Sequence, residues 1–219
     1  ANQLGLKRVD PNLRKAAIWG YYRNAVRDPS EHGGATIIMH TEEKKSWFWF
    51  IPLSNDITSV GVVADNDYLL KGRGTPDQVF EEELAICPGL VRRLPDAKLV
   101  SKHHVAKEFS YTTTQQAGDG WVLIGDAFGF IDPIYSSGVY FALRSGELAA
   151  DAVVEGLRSG NTKARQLGSW VDEFKGGTDL IRKLVSAYYT DDFSFGRFMK
   201  EHPEHQGNLT DLLIGRIFY

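Results

Sequence analysis

One continuous stretch, residues 121–139, constrains the fold more strongly than any other part of the chain. Its first four residues form a short apolar run that is typical of a buried strand, and the run ends abruptly at Gly125 and Asp126. From Gly138 an amphipathic pattern predicts a helix that ends near Gly160. In α/β proteins, ligands commonly bind where a strand delivers a bare backbone and a carboxylate at its carboxyl end. The pattern therefore predicts a strand, a ligand-binding loop and a helix.

The helix start in this stretch favours an electron-rich ligand. The first N–H groups of a helix, here those near Ser137, have no intrahelical partner and carry roughly half a unit of positive charge. An anion or an electron-rich ring edge is stabilised there, and Asp126 is able to accept hydrogen bonds from hydroxyls. The same pattern also fits a structural strand and a serine-capped turn that bind nothing. A ligand is favoured because four special residues lie within fourteen positions, namely Gly125, Gly129, Pro133 and Gly138.

Four runs in the first part of the chain predict antiparallel strands. They are rich in β-branched and aromatic residues, are separated by turn formers, and cover residues 15–23, 35–40, 46–51 and 57–64. Consecutive hairpins in a curved or open sheet are the simplest arrangement. In the third run Trp47, Trp49 and Ile51 share one face, whereas Phe48 and Phe50 share the other. Both faces of this strand must therefore be covered.

Helical patterns accompany the strands. Thr75 is predicted to cap a short helix that is broken at Pro88. The buried face of the long helix is predicted to comprise Val139, Ala142, Leu143, Ala149, Ala150, Val153 and Leu157. A further helix is predicted over residues 167–188, with a weak centre because the glycines at 176–177 cost about 1 kcal/mol each.

Composition excludes several classes of protein. The chain has 25 Lys and Arg against 28 Asp and Glu, so its net charge of −3 disfavours nucleic-acid binding. No apolar run approaches the roughly 18 to 20 residues that span a membrane as a helix. The single cysteine, Cys87, excludes an internal disulfide and favours a reducing, cytoplasmic location. The start at Ala1 shows no targeting leader, and a piece of a longer protein is expected.

Two motifs resemble those of FAD-dependent halogenases. Residues 125–127, Gly-Asp-Ala, together with residues 130–138, Phe-Ile-Asp-Pro-Ile-Tyr-Ser-Ser-Gly, resemble the second flavin-contacting motif of FAD-dependent monooxygenases in its halogenase form. Residues 47–52, Trp-Phe-Trp-Phe-Ile-Pro, match the Trp-x-Trp-x-Ile-Pro signature of the tryptophan halogenase-like branch. Members of this branch are also named alkylhalidases or FAD-dependent oxidoreductases. The resemblance covers nearly the whole chain, with both motifs in the expected order.

The resemblance implies an α/β flavoprotein fold of the FAD/NAD(P)-binding type that lacks its first βαβ unit and is α+β within this chain. It implies an antiparallel substrate-domain sheet over 1–110, a flavin-domain strand, loop and helix over 111–160, and carboxyl-terminal helices over 161–219. The Gly-x-Gly at residues 72–74 lacks a third glycine and is predicted to be a loop before a helix cap. The dinucleotide fingerprint and the lysine that relays hypohalous acid would lie upstream. The chain would then be the carboxyl-terminal two-thirds of such an enzyme, inactive alone.

The resemblance also implies a reaction and a set of site residues. Reduced FAD, supplied by a flavin reductase, would react with oxygen and chloride or bromide to give hypohalous acid, which halogenates an electron-rich substrate. Asp126 would bind the ribityl hydroxyls, Pro133 would shape the loop, and the amides of Ser137 and Gly138 would face the flavin and hold the halide. The predicted cofactor-binding set is completed by Gly125, Ser136 and Val139. The wall beside the substrate is predicted to comprise Trp47, Trp49 and Pro52.

The substrate class and two alternatives stay open. Halogenases of free tryptophan carry glutamate at the position of Tyr135, so a phenol, a pyrrole or a carrier-bound substrate is favoured over tryptophan. The same scaffold also serves flavin monooxygenases and geranylgeranyl reductase-like enzymes. The alternative to an enzyme is a non-catalytic binding domain with the flavin fold.

Other polar clusters are predicted to be structural. His103 and His104 point to opposite faces of an extended segment, so they do not share a metal ion easily. His202 and His205 flank a proline and lack a carboxylate at metal spacing, and no metal site is expected. Cys87 is predicted to be a small buried residue. The acidic pair at residues 191–192 is predicted either to border a substrate mouth or, more simply, to be solvated.

Overall fold

A computed structural model describes residues 1–107, 109–190 and 193–218 of the chain. The chain divides into two compact units. The sheet unit comprises residues 14–109, and the helical unit comprises residues 1–13 together with 110–219. Each unit contains its own cluster of buried apolar side chains.

A six-stranded antiparallel sheet forms the sheet unit. After β1 (Lys7–Val9), which belongs to the helical unit, its strands are β2 (Lys15–Arg23), β3 (Ile37–His40), β4 (Ser46–Pro52), β5 (Ile57–Asp65), β6 (Lys98–Leu99) and β7 (His104–Lys107). The strand order is β3-β4-β5-β2-β6, and β7 also pairs with β2. The four predicted strands are therefore confirmed. The second begins at Ile37 rather than Ala35, because the amide of Ala35 is bonded to His32 in the preceding turn.

The two faces of β4 separate the aromatic residues as predicted. Phe48 and Phe50 are fully buried and join the core cluster that contains Phe80. Trp47 and Trp49 lie on the other face, with ring centroids 6.3 Å apart. The period of two along a strand accounts for this separation.

Three helices belong to the sheet unit: α1 (Asn66–Leu70), α2 (Pro76–Ala85) and α3 (Pro88–Val91). The predicted cap at Thr75 is confirmed, because its hydroxyl accepts the amide of Gln78 and the Gln78 side chain accepts the amide of Thr75. Pro88 does not simply break the helix. It occupies the first turn of α3, a position that suits a residue without an N–H group. Cys87 is fully buried, as predicted.

The loop at residues 72–74 has a structural role in the sheet unit. Arg73 contacts Glu83 at 2.6 Å, and Glu83 is 1% exposed. The other carboxylate oxygen of Glu83 accepts the hydroxyl of Ser46 at 2.5 Å. A buried carboxylate requires such partners because its desolvation is costly. The loop therefore positions Arg73 as the counterion of the buried Glu83 carboxylate.

The helical unit contains β1 and the chain after residue 109. Its remaining elements are β8 (Tyr111–Thr113), β9 (Ala117–Gly118), β10 (Trp121–Val122), α4 (Gly138–Arg158), α5 (Ala164–Leu167), α6 (Val171–Tyr188), α7 (Phe195–Glu201) and α8 (Gln206–Leu213). β1 pairs with β8, and β9 pairs with β10, in both cases antiparallel. Within the described ranges, no helix has the length and apolar character required to cross a membrane.

The predicted buried strand over 121–124 is wrong. β10 is two residues long and pairs with β9 in a hairpin, where Gly118 leaves space for the Trp121 ring. Ile124 is 43% exposed. A buried strand needs both of its faces covered, whereas Trp121 and Val122 are each only half-buried.

The predicted buried face of α4 is also wrong in part. Val139, Leu143 and Leu157 are 74%, 69% and 67% exposed. Ala150 is exposed as well, whereas the predicted burial of Ala149 is confirmed. The other buried positions carry small residues that were not predicted, namely Ser145, Ala152 and Gly156. At Gly156 a small residue is required because neighbouring backbone lies very close: a Cβ atom there would lie 2.8 Å from a backbone oxygen of the following loop.

Helix α6 runs unbroken through the two glycines that predicted a weak centre. Gly177 is buried, and a Cβ atom there would overlap the ring of Phe218. The Phe218 ring stacks on Phe174 with the centroids 5.2 Å apart. The absence of a side chain at Gly177 therefore makes room for the Phe218 ring near the end of the chain. The aromatic packing at this position opposes the free-energy cost of a glycine inside a helix.

We expect Glu83→Gln to lower the free energy of unfolding by about 2 kcal/mol, because a hydrogen bond to a charged group is removed inside the protein. Glu82→Gln is the matched control on the same helix, since Glu82 also contacts Arg73 but its side chain is 59% exposed. Urea unfolding with both midpoint and slope measured checks this difference. Equal losses in the two variants would contradict a special role for Glu83.

Candidate functional site

The loop that follows β10 is held against β8 by several hydrogen bonds. Tyr111 and Phe130 exchange backbone hydrogen bonds of 2.8 and 3.0 Å. The Thr113 hydroxyl donates to the Phe128 carbonyl at 2.6 Å, and the Tyr111 hydroxyl donates to the Asp126 carbonyl. Gly129 permits this approach, because a Cβ atom there would lie 3.1 Å from the Tyr111 oxygen. The loop is therefore fixed along much of its length.

A buried serine fixes the first residue of the loop to α4. Ser145 is fully buried, and its hydroxyl accepts the Gly125 amide at 2.9 Å while donating to the Phe141 carbonyl at 2.7 Å. Gly125 has φ +51, and a Cβ atom there would lie 3.2 Å from the Cβ of Ala142. Both conditions favour glycine. The sequence interpretation missed Ser145, although a polar residue in a helical stripe of small residues could have indicated a buried hydroxyl.

The turn before α4 contains a residue with an unusual backbone conformation and a residue with a buried polar side chain. The buried Asp132 accepts the amide of Ile134 at 2.9 Å and begins a short 3-10 turn, Pro133–Tyr135. Ser136 follows in the left-handed conformation, with φ +52. Ser137 stands at the helix N-cap, but its side chain accepts no capping hydrogen bond. Serine capping, the structural alternative from the sequence, is therefore not what this residue does.

The loop and the helix start enclose an open hollow. It is lined by Gly125 and Asp126, by residues 129–132, and by Ser137, Gly138 and Phe141. The structure thus brings together four predicted site residues. Pro133 is half-buried beside the turn, and Ser136 and Val139 are exposed. None of these three belongs to the described lining of the hollow.

Two observations support binding of part of a flavin in the hollow. Gly138 has an ordinary backbone conformation, and the nearest neighbour of a Cβ atom there would be Phe130 at 3.6 Å. Neither backbone strain nor close packing therefore requires glycine at this position. The exposed carboxylate of Asp126 lines the same hollow and offers acceptors for hydroxyl groups.

The electrostatics of the hollow combine a helix start with a neighbouring acid. Helix α4 has 21 residues, so its first amides present a partial positive charge. On the loop side, burial and then the charge of Asp126 raise the pKa of Tyr111. Any tyrosine hydroxyl is protonated at neutral pH, and the raised pKa keeps that of Tyr111 a donor further into the alkaline range. The ammonium of Lys7 lies 4.2 Å from the centre of the Tyr111 ring, a cation–π distance.

A second hollow lies on the other side of the turn, within the same unit. Its volume is about 120 Å³, and it shares Ser137 and Phe141 with the first hollow. Its other walls are Tyr135, Ser136, Tyr140, Ile181 and the chain end at residues 212–217. Apolar and aromatic side chains predominate, which suits a flat ring. The carbonyl of Leu184 accepts the Tyr135 hydroxyl at 3.3 Å.

The predicted tryptophan wall lies in the sheet unit as part of a longer aromatic row. The Trp49 indole donates to the Ser59 hydroxyl at 3.1 Å and packs against Trp19 with centroids 6.3 Å apart. The ring of His104 continues the row, stacked 5.3 Å from Trp19. Sequence interpretation missed these two additional rings because their strands are distant along the chain. Pro52 is the last residue of β4 and is half-buried.

The remaining polar clusters are structural among the residues described. His103 contacts Tyr22 and Asp77, while the neighbouring His104 stacks on Trp19, so the two rings point to opposite faces as predicted. The described part of the chain contains no group of three or more potential ligands that could hold a metal ion. Residues 191–192, predicted to border a substrate mouth or be solvated, lie outside the described residues.

Comparisons with known proteins agree with this geometry. The family model described as tryptophan halogenase matches residues 26–210. A 1H-pyrrole-2-carbonyl-(peptidyl-carrier protein) brominase of Pseudoalteromonas luteoviolacea is 30% identical over 215 residues, which cover 98% of this chain and 52% of the relative. The corresponding chlorinase of Pseudomonas fluorescens is 27% identical over 220 residues, covering 99% and 49%.

A solved structure shows the same architecture. The flavin-dependent brominase Bmp2 superposes with a TM-score of 0.88 at 29% identity, over 97% of this chain and 53% of that chain. The chain thus spans about half the length of the curated relatives it matches, a smaller share than the two-thirds that the sequence resemblance implied.

We expect Ser145→Ala to accelerate hydrogen exchange at the Gly125 amide and to lower the free energy of unfolding by about 1 kcal/mol, because a buried amide loses its acceptor. Ser159→Ala is the matched control, since Ser159 is an exposed serine at the end of the same helix whose hydroxyl bonds a carbonyl four residues earlier. Exchange measured by NMR checks both variants. An unchanged Gly125 amide in Ser145→Ala would contradict the clamp.

Proposed function

Because the chain belongs to the tryptophan halogenase family, we propose that the protein is an FAD-dependent halogenase. In the proposed reaction, reduced flavin, oxygen and chloride or bromide give hypohalous acid, which halogenates an electron-rich substrate. The observation that carries the proposal is the hollow lined jointly by Asp126 and by the start of α4 at Ser137 and Gly138. A hydroxyl acceptor and a helix start face the same space there.

The residues of the hollow would divide the work of holding cofactor and halide. The Asp126 carboxylate would accept ribityl hydroxyls, and the amides of Ser137 and Gly138 would face the flavin ring and hold the halide. Pro133, Ser136 and Val139 would contribute as the turn that sets the position of these amides. Bound and reduced FAD would supply the electrons for oxygen activation. Gly125, clamped by Ser145, would keep the loop at a fixed distance from α4.

The aromatic row would serve as a wall of the substrate chamber. Trp47 is 3% exposed, and Trp49 is held by its hydrogen bond to Ser59. Large rings in fixed positions exclude water and keep a substrate away from the flavin. We assign Trp47, Trp49 and Pro52 this role, in which they separate oxidant formation from halogenation.

The proposed substrate is a flat electron-rich ring, free or attached to a carrier protein. Free tryptophan is disfavoured because Tyr135 offers no carboxylate to an ammonium group, and its hydroxyl donates to the Leu184 carbonyl. Two relatives are named for pyrrole groups on a carrier protein, which supports a carrier-bound substrate here. We further propose a flavin reductase as partner and a cytoplasmic location, which suits a protein with one buried free thiol.

Reconstitution tests the reaction. The protein at its full natural length, with FAD, a flavin reductase and bromide, is expected to brominate either a pyrrole-2-carbonyl carrier protein or a free phenol, as measured by mass spectrometry. Hydroxylated product alone would contradict the proposal and indicate a monooxygenase. Turnover of a prenyl substrate without oxygen would indicate a reductase, and FAD binding without any product would indicate a binding domain.

Gly138→Ala tests the role of the hollow. The added methyl group meets no protein atom closer than 3.6 Å, so folding should be preserved while space beside the amides is lost. We expect bromination to fall by about tenfold or more, equivalent to about 1.4 kcal/mol in the barrier. Gly146→Ala on the same helix is the matched control, because nothing lies within 4 Å of its added Cβ atom. Equal activities of the two variants would contradict the assigned site.

A further inference from the structure

A buried carboxylate connects the hollow to the end of α6. Asp132 is 3% exposed and lines the hollow together with Ser137 and Gly138. Its carboxylate accepts the Ile134 amide at 2.9 Å and the Tyr189 hydroxyl at 3.1 Å. A buried charge is stable only with such donors. Tyr189 immediately follows α6, so the contact joins the turn to a helix distant in sequence.

Tyr135 provides a second connection between the same turn and α6. Its hydroxyl donates to the Leu184 carbonyl at 3.3 Å, and its ring meets Tyr188 edge to face at 6.3 Å. Burial above all raises the pKa of both Tyr135 and Tyr188, and Asp132 adds to each shift. Both hydroxyls therefore stay protonated through the neutral and mildly alkaline range. The turn is therefore bordered by two protonated tyrosines whose rings are in contact.

The position immediately after Tyr135 is conformationally demanding. Ser136 adopts the left-handed conformation, which is unfavourable for residues other than glycine and persists when surrounding contacts fix it. Its amide bonds the Pro133 carbonyl at 3.0 Å. The direction of the next two amides, those of Ser137 and Gly138, follows from this turn. Contacts that fix the turn therefore also fix the proposed halide-binding amides.

We propose that Asp132 and Tyr189 are positioning residues, which hold the turn so that the amides of Ser137 and Gly138 point at the halide. This inference rests on the proposed function for its halide, whereas the connection itself is independent of the reaction. Tyr189 lies outside both motifs, and Asp132, although it stands within the motif at residues 130–138, was given no site role by the family resemblance. The readout must therefore separate positioning from ordinary stabilisation.

Hydrogen exchange tests the connection without any cofactor. In Tyr189→Phe, which removes the hydroxyl and keeps the ring, we expect the amides of residues 134–139 to exchange about tenfold faster, as for one lost hydrogen bond to a charged group. Tyr22→Phe is the matched control, because it removes a hydroxyl bonded to His103 at 3.0 Å in the sheet unit. Unchanged exchange in Tyr189→Phe, or equal changes in both variants, would overturn the proposal.

Steady-state kinetics test the role in halide binding. The Tyr189→Phe variant of the protein at its full natural length is expected to have a KM for bromide about fivefold higher or more and a kcat within about twofold of the unaltered protein. The reason is that the reacting groups remain but the amides are misdirected. Asp132→Asn, which keeps an acceptor for the tyrosine, is expected to retain more halide affinity than Asp132→Ala. Equal losses in kcat and thermal stability without a KM change would overturn the positioning role. Absence of bromination by the unaltered protein would refute the proposed function but leave the exchange result valid.

Discussion

The attachment of one loop to β8 and α4 is the constraint on which the candidate site depends. Backbone bonds between Tyr111 and Phe130 hold the loop on one side, and the Ser145 hydroxyl holds Gly125 on the other. Both supports are elements of regular structure, and the buried ring of Phe128 anchors the loop further in the core cluster of the helical unit. The hollow beside Asp126 exists because this loop cannot collapse onto the start of α4.

The two glycines at the edges of the hollow, Gly125 and Gly138, differ in whether the protein's own structure requires a glycine. Gly125 combines a left-handed backbone with close contact to Ala142, so its own packing already favours glycine. Gly138 has neither constraint. A glycine that the protein does not need for itself indicates space kept for something else. This distinction makes Gly138 more informative about function than its partner in the motif.

Sequence reasoning succeeded where local patterns decide and failed where distant packing decides. The alternation of Trp47 and Phe48, the cap at Thr75 and the family resemblance were all local, and each is confirmed. The buried face of α4 was missed because close backbone approach selects small residues there over large apolar ones. Contacts such as Tyr189 with Asp132, 57 positions apart, leave no periodic trace in the sequence.

The aromatic row in the sheet depends on a residue that contributes no ring. A Cβ atom at Gly61 would overlap the Trp49 indole and lie 2.6 Å from the Cβ of Trp19. The orientation of Trp49 is therefore encoded on the adjacent strand as well as in its own motif. If the aromatic row lines the substrate chamber as proposed, one substitution at Gly61 would reshape that chamber while both signature tryptophans are retained, so inheritance of the motif alone would not guarantee inheritance of substrate preference.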